Sequence, residues 1–195
     1  MASTDRAHRT LFSEAQSYGE TAMTDFEFSG RTALVTGGSR GIGRACVEIL
    51  ARHGASVAVN FRADADAAQD VVDAVNSIGQ QGIAVQADVT DEAQVRSMVE
   101  KVEQELGPIN LLVNNAGMFH FVSHEEMDLD IWNQTMACNL TGVFLVTWAV
   151  KRKMIERGFG RIVNMSSISA LRPRPGGSCS RRSMGSLAFT LMMMS

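Results

Sequence analysis

Cysteine is scarce in this sequence. Cys46, Cys138 and Cys179 are an odd number, widely spaced and without a CxxC pair. That excludes a disulfide framework or a cysteine-based zinc site, and we read them as reduced thiols of a cytoplasmic protein. No apolar run approaches the roughly 20 residues needed to cross a membrane, so a membrane partner is not expected. The first 23 residues contain no continuous apolar stretch, which excludes a secretory signal there. Basic residues are not in excess: 18 Lys and Arg stand against 21 Asp and Glu, for a net charge of −3. This argues against a nucleic-acid partner, which a basic stripe would serve. Tyrosine occurs once, as Tyr18. What remains is 195 residues, 45% hydrophobic and 20% charged. That is an ordinary globular composition, long enough for one domain with a sizeable core.

Patterning divides the chain in three: a flexible extension over 1–27, a domain over 28–170 and an atypical tail over 171–195. The domain alternates strands and helices. Strands are expected at 32–36, 55–61, 82–87, 109–114 and 161–166. Between the first and second lies a helix with Ile42, Ala45, Cys46, Ile49 and Leu50 at helical spacing, ended by Gly54. A helix over 64–78 groups Ala68, Val71, Val72, Val75 and Ile78. The next carries Val95, Met98, Val99, Val102 and Leu106, and Gly107-Pro108 breaks it. One long helix is expected over Asp128–Glu156. Strands alternating with helices of this length imply an α/β fold, a Rossmann-like doubly wound parallel sheet covered on both faces. The tail is different in kind. It holds four arginines, no acid, and two of the three prolines.

The first strand runs into Gly37-Gly38-Ser39-Arg40-Gly41-Ile42-Gly43, which opens a helix. Glycines let such a turn approach a pyrophosphate closely, and the helix start offers unpaired N–H groups and a positive dipole end. The alternative is a purely structural turn. At the end of the second strand, binders of NAD place an acid for the ribose 2′-hydroxyl. Here stand Asn60-Phe61-Arg62, with no acid before Asp64. With Arg40, two guanidinium groups would favour a 2′-phosphate, hence NADP(H) over NAD(H). The alternative is that both arginines are solvated surface charges.

Thr36–Gly43 (TGGSRGIG) together with Asn114-Asn115-Ala116-Gly117 resembles the short-chain dehydrogenase/reductase family, with its TGxxxGxG and NNAG motifs. Asn139–Phe144 and Gly160–Ser167 are similar to further family segments in the same order, so the resemblance covers about residues 28–171. Its flavour is that of the 3-oxoacyl-[acyl-carrier-protein] reductases. The resemblance implies hydride transfer between a nicotinamide dinucleotide and a small carbonyl or acyl-thioester substrate. It implies that Gly37, Ser39, Arg40, Gly41, Ile42 and Gly43 hold the pyrophosphate and adenosine ribose, with Arg62 nearby. Asp88 and Val89 would border the adenine, the alternative for Asp88 being a helix cap. Asn115, Ala116 and Gly117 would line the nicotinamide-side ribose and stabilise the sheet centre. Asn139 would position a water in a proton relay, and Ser167, or its neighbour Ser166, would orient the substrate carbonyl. A homo-oligomer through the Asp128–Glu156 helix is also implied.

The family's proton donor is a tyrosine thirteen residues after the serine, followed four residues later by a lysine. Counted from Ser167, Ser180 and Met184 stand there. Serine is too weak an acid near neutral pH to replace an activated phenol unaided. His120 and His124, just past the fourth strand, are the candidate substitutes. The family fold also continues with further strands, so the fifth strand is expected to form an exposed sheet edge. We read 171–195 as a shifted-frame or misspliced continuation of a longer reductase. Two further readings follow: a nucleotide-binding protein without turnover, or a gene fragment.

Overall fold

The computed structural model describes residues 27–120, 122 and 126–166. The element order is β1 (Thr32–Val35), α1 (Gly41–Arg52), β2 (Ser56–Phe61), α2 (Ala65–Ser77), β3 (Gly82–Gln86), α3 (Glu92–Leu106) and β4 (Ile109–Asn114). Then come α4 (Leu129–Met136), a π-helical stretch (Ala137–Gly142), α5 (Val143–Glu156) and β5 (Arg161–Asn164). The five strands form one parallel sheet in the order β3-β2-β1-β4-β5. This is the expected α/β arrangement.

Side-chain alternation along each strand feeds two separate cores. Ala33, Val35, Val57 and Val59 pack under α1 and α2, with Val47, Ala51, Val71 and Val75. Leu34, Ala58 and Leu112 face the opposite way, against Val95, Met98, Val99 and Val102 of α3 and Val146, Val150 and Met154 of α5. Both faces of the sheet are therefore covered. Pairing of β1 with β4 slips between Thr32 and Ala33, skipping Asn110. The Thr32 N–H donates to Asn110 Oδ1 at 3.1 Å, so the slip leaves no orphan donor there.

Three expectations need correcting. The apolar positions singled out in α1 meet its buried face only in part: Cys46 and Leu50 pack at the edge of the core, Ile42, Ala45 and Ile49 are exposed, and Gly43, Val47 and Ala51 are buried. Small residues bring α1 close to the sheet, and larger ones are left at its margin. Ile78 is likewise exposed, because α2 ends at Ser77 and Ile78 only caps it. The long helix over Asp128–Glu156 is not uniform, since a π-helical stretch at Ala137–Gly142 separates α4 from α5. Such insertions widen a helix by one residue and recur at functional sites.

At the edge of the sheet, all four residues of β5 are exposed, Ile162 and Val163 included. The expected open edge is therefore present among the described residues. No helix of the described residues is long and apolar enough to cross a membrane.

Candidate functional site

The strand order reverses beside β1, whose neighbours are β2 on one side and β4 on the other. Beyond the carboxyl ends of these strands a crevice opens, the usual ligand position in open α/β sheets. Here it is a cleft of about 520 Å³.

The floor is built from the glycine turn. Gly37 has φ 61°, and a Cβ there would lie 3.0 Å from Ala116 Cα. Gly43, in the first turn of α1, is buried beneath it: a Cβ would lie 2.3 Å from the Gly37 carbonyl oxygen and 2.5 Å from Asn115 Nδ2. Only glycine allows helix and turn to approach this closely. Gly41 and Ile42 open α1 on its exposed side, and Arg40 precedes it in extended conformation.

Two residues with no assigned role hold the turn. Thr36 Oγ1 accepts the N–H groups of both Asn115 and Ala116 at 3.0 Å. In return, Asn115 Nδ2 donates to the carbonyls of Thr36 and Gly37, each at 3.0 Å. Buried Asn60 accepts from the Gly37 N–H at 3.3 Å and donates to Ala87 O at 3.0 Å, tying β2 and β3 to the turn. The sequence signal for both was their place at a strand's end, where a polar side chain interrupts an apolar run.

Electrostatically the turn favours an anion. Asp64, Asp91 and Asp128 cap α2, α3 and α4 with their carboxylates, but α1 begins without a side-chain cap or an acid in its first turn. Its leading N–H groups are left for another acceptor. Arg40 forms no ion pair among the described residues and lines the cleft with Ser39 and Arg62.

Opposite stands Asp88, whose alternative as a helix cap is corrected: Asp91 caps α3, accepting from the Ala93 and Gln94 N–H groups. These bonds, Gln94's foremost, hold the Asp91 carboxyl below its ordinary value. Asp88 instead accepts from Thr90 N and Oγ1 at 2.9 and 2.8 Å, and its other oxygen lies 4.0 Å from Arg62 Nη1. Val89 and Gly117 complete the far wall with Ala116, Met118, Phe119 and Cys138. Burial, then the Asp88 charge, push the Cys138 thiol up, while Arg62 pulls it down.

Asn139 lies in the π-helical stretch. Its Oδ1 accepts from the Met118 N–H at 2.8 Å and its Nδ2 donates to the Met118 carbonyl at 2.9 Å. Both ends of the amide are engaged within the chain. His120 is half-buried, and its Nε2 is buried without a hydrogen-bond partner. Ser166 is exposed just past β5, whereas Ser167, His124, Ser180 and Met184 lie outside the described residues.

The lysines serve elsewhere. Lys101 pairs with Glu105, Lys153 with Glu103, and Lys151 sits over the Trp148 ring. A second cavity of about 520 Å³ lies between α3 and α5, lined by Phe144 and Trp148 among charged neighbours. It has no glycine turn, and the helix start at its rim, Glu92 of α3, follows the Asp91 cap that already accepts from its leading N–H groups, so the cleft at the strand ends is the candidate site.

The family model described as short chain dehydrogenase matches residues 31–180. Gluconate 5-dehydrogenase of Gluconobacter oxydans (strain 621H) is 40% identical over 151 residues, covering 77% of this chain and 59% of that protein. The 3-oxoacyl-[acyl-carrier-protein] reductase of Synechocystis sp. (strain ATCC 27184 / PCC 6803 / Kazusa) is 38% identical over 161 residues, 82% of this chain and 65% of its own. This chain thus spans under two thirds of either relative's length. Among solved structures, a short chain dehydrogenase from Burkholderia cenocepacia J2315 in complex with NADP matches with TM-score 0.76 and 36% identity. The match covers 85% of this chain and 66% of that one.

Proposed function

The chain belongs to the short-chain dehydrogenase family, and we propose that its cleft binds a nicotinamide dinucleotide for oxidoreduction between a carbonyl and a secondary alcohol. The observation that carries this reading is the uncapped start of α1 above the Gly37–Gly43 turn. A pyrophosphate suits this turn because Gly37 and Gly43 let the backbone pack too closely for any side chain, which leaves the start of α1 facing the cleft. Gly37, Ser39, Arg40, Gly41, Ile42 and Gly43 would hold the pyrophosphate and adenosine ribose, Asp88 and Val89 the adenine, and Ala116 and Gly117 the second ribose. Asn115 and Asn139 are positioning residues, because their amides fix the turn and the Met118 segment.

We assign NADP(H) as the preferred form, since Arg40 and Arg62 line the adenosine end and no acid stands between Phe61 and Asp64. The bound nucleotide would supply a hydride to a carbonyl carbon. Ser166 or Ser167 would orient the carbonyl oxygen by donating a hydrogen bond. The substrate class is a small ketone or 3-oxoacyl thioester. The exposed Phe144–Trp148 stack on α5, with ring centroids 5.3 Å apart, is the proposed contact for a second copy.

A second reading rests on one observation: Ser180 and Met184 stand where the family's tyrosine and lysine are expected. It is nucleotide binding without turnover. Titrating the 195-residue chain with NADPH, then assaying acetoacetyl-thioester reduction, separates the two. Binding with turnover supports the first reading, and binding alone the second. No binding rejects both.

A further inference from the structure

The two arginines of the cleft are not in equivalent situations. Arg40 has no ion pair among the described residues. Arg62 stands 4.0 Å from Asp88, with its side chain 65% exposed against 31% for the acid. The acid is the fixed member. Thr90 donates twice to Asp88 Oδ1, and the Asp88 N–H donates to Gln94 Oε1 at 2.9 Å. The Arg62 backbone is fixed as well, its carbonyl accepting from Gln86 Nε2 at 2.9 Å, so only the guanidinium end is left to move. A carboxylate held by two hydrogen bonds thus faces a largely exposed guanidinium at the end of the cleft where the adenosine ribose would lie.

Resting on the nucleotide reading above, we infer that Asp88 sets the nucleotide preference of the cleft through Arg62. A ribose 2′-phosphate must compete with the Asp88 carboxylate for this guanidinium, whereas Arg40 is available outright. Asp88 is then a specificity-determining residue that lowers the preference for NADP(H), beyond any contact with the adenine. Because the adenine is common to both nucleotides, that contact cancels in the ratio of their dissociation constants. The influence of Arg62 does not cancel.

The test measures Kd for NADPH and NADH, by cofactor fluorescence at low fixed salt, on the full chain and on Asp88→Asn, Arg62→Ala and the double variant. Asn retains the Oδ1 acceptor for Thr90, and Asp88→Ser serves if Asp88→Asn does not fold. Asp88→Asn is expected to shift the Kd ratio toward NADPH by roughly two- to fivefold, the range of an exposed ion pair. In the Arg62→Ala background the same change is expected to leave the ratio unmoved. An unchanged ratio in Asp88→Asn overturns the inference. So does an equal shift with Arg62 absent, which marks simple repulsion between acid and phosphate. Absence of saturable binding of either nucleotide to the wild-type chain overturns the nucleotide reading, and the inference with it.

Discussion

Asn139 spends both polar atoms of its side chain on one peptide group, accepting from the Met118 N–H and donating to the Met118 carbonyl. The bond pair joins the π-helical stretch to the segment that follows β4, across 21 residues of sequence. Asn139→Ala removes two half-buried hydrogen bonds, each with a net worth of about 0.5–1.5 kcal/mol. The melting temperature should fall, and amide exchange at Met118 should accelerate more than in the centre of β1. Unchanged Met118 exchange would show that the bond pair does not hold this segment.

The π-helical stretch also shows where the sequence was hard to read. Apolar spacing continues through residues 128–156, so periodicity gives one helix. The irregularity involves a side chain bonding to a loop, and no local pattern carries that. Strand positions and the glycine turn were legible because both are local: apolar runs, and a turn that demands glycine. Thr36 and Asn60 were not, since their bonds to Asn115 and Ala87 join strands that meet only in the fold. In α1, size points to Ile42 and Ile49 as the buried pair, whereas close packing of helix on sheet selects the smaller Val47 and Ala51.

Asp91 gives the fold an acid-sensitive cap. Its carboxyl is held below the ordinary value by hydrogen bonds from Gln94 and Ala93. A depressed carboxyl contributes stability above its unfolded pKa, and that contribution is lost as pH falls through the folded value. The melting temperature of wild type should therefore drop between pH 5 and the region below the ordinary aspartate range more than that of Asp91→Asn. Parallel curves for the two proteins would show that Asp91 carries none of the acid dependence.

Arg40 lies against the cleft and forms no ion pair among the described residues. Arg40→Ala should weaken NADPH on the order of tenfold, the value of one hydrogen bond to a charged group. NADH, which lacks the 2′-phosphate, should change less than about twofold on the same argument. Isothermal titration with both nucleotides checks this, and equal losses would place Arg40 on the pyrophosphate instead.

Trp148 and Phe144 stack on the side of α5 that lines the open cavity beside α3, and both are more than half exposed. This pair is the contact we propose for a second copy. Phe144→Glu with Trp148→Glu should convert a wild-type dimer to monomer in sedimentation velocity at equal concentration. A wild-type chain that is already monomeric would remove this proposal.

We propose the turn beneath α1 as a nucleotide cradle. Its most direct test is NADPH fluorescence titration of the 195-residue chain beside Gly43→Val, with a thermal melt confirming that both fold. In the variant, side-chain atoms must occupy the space now held by the Gly37 carbonyl and the Asn115 amide. The expected result is saturable one-to-one binding by wild type and its loss in a folded variant. No saturable binding by wild type, or equal binding by folded Gly43→Val, would contradict it.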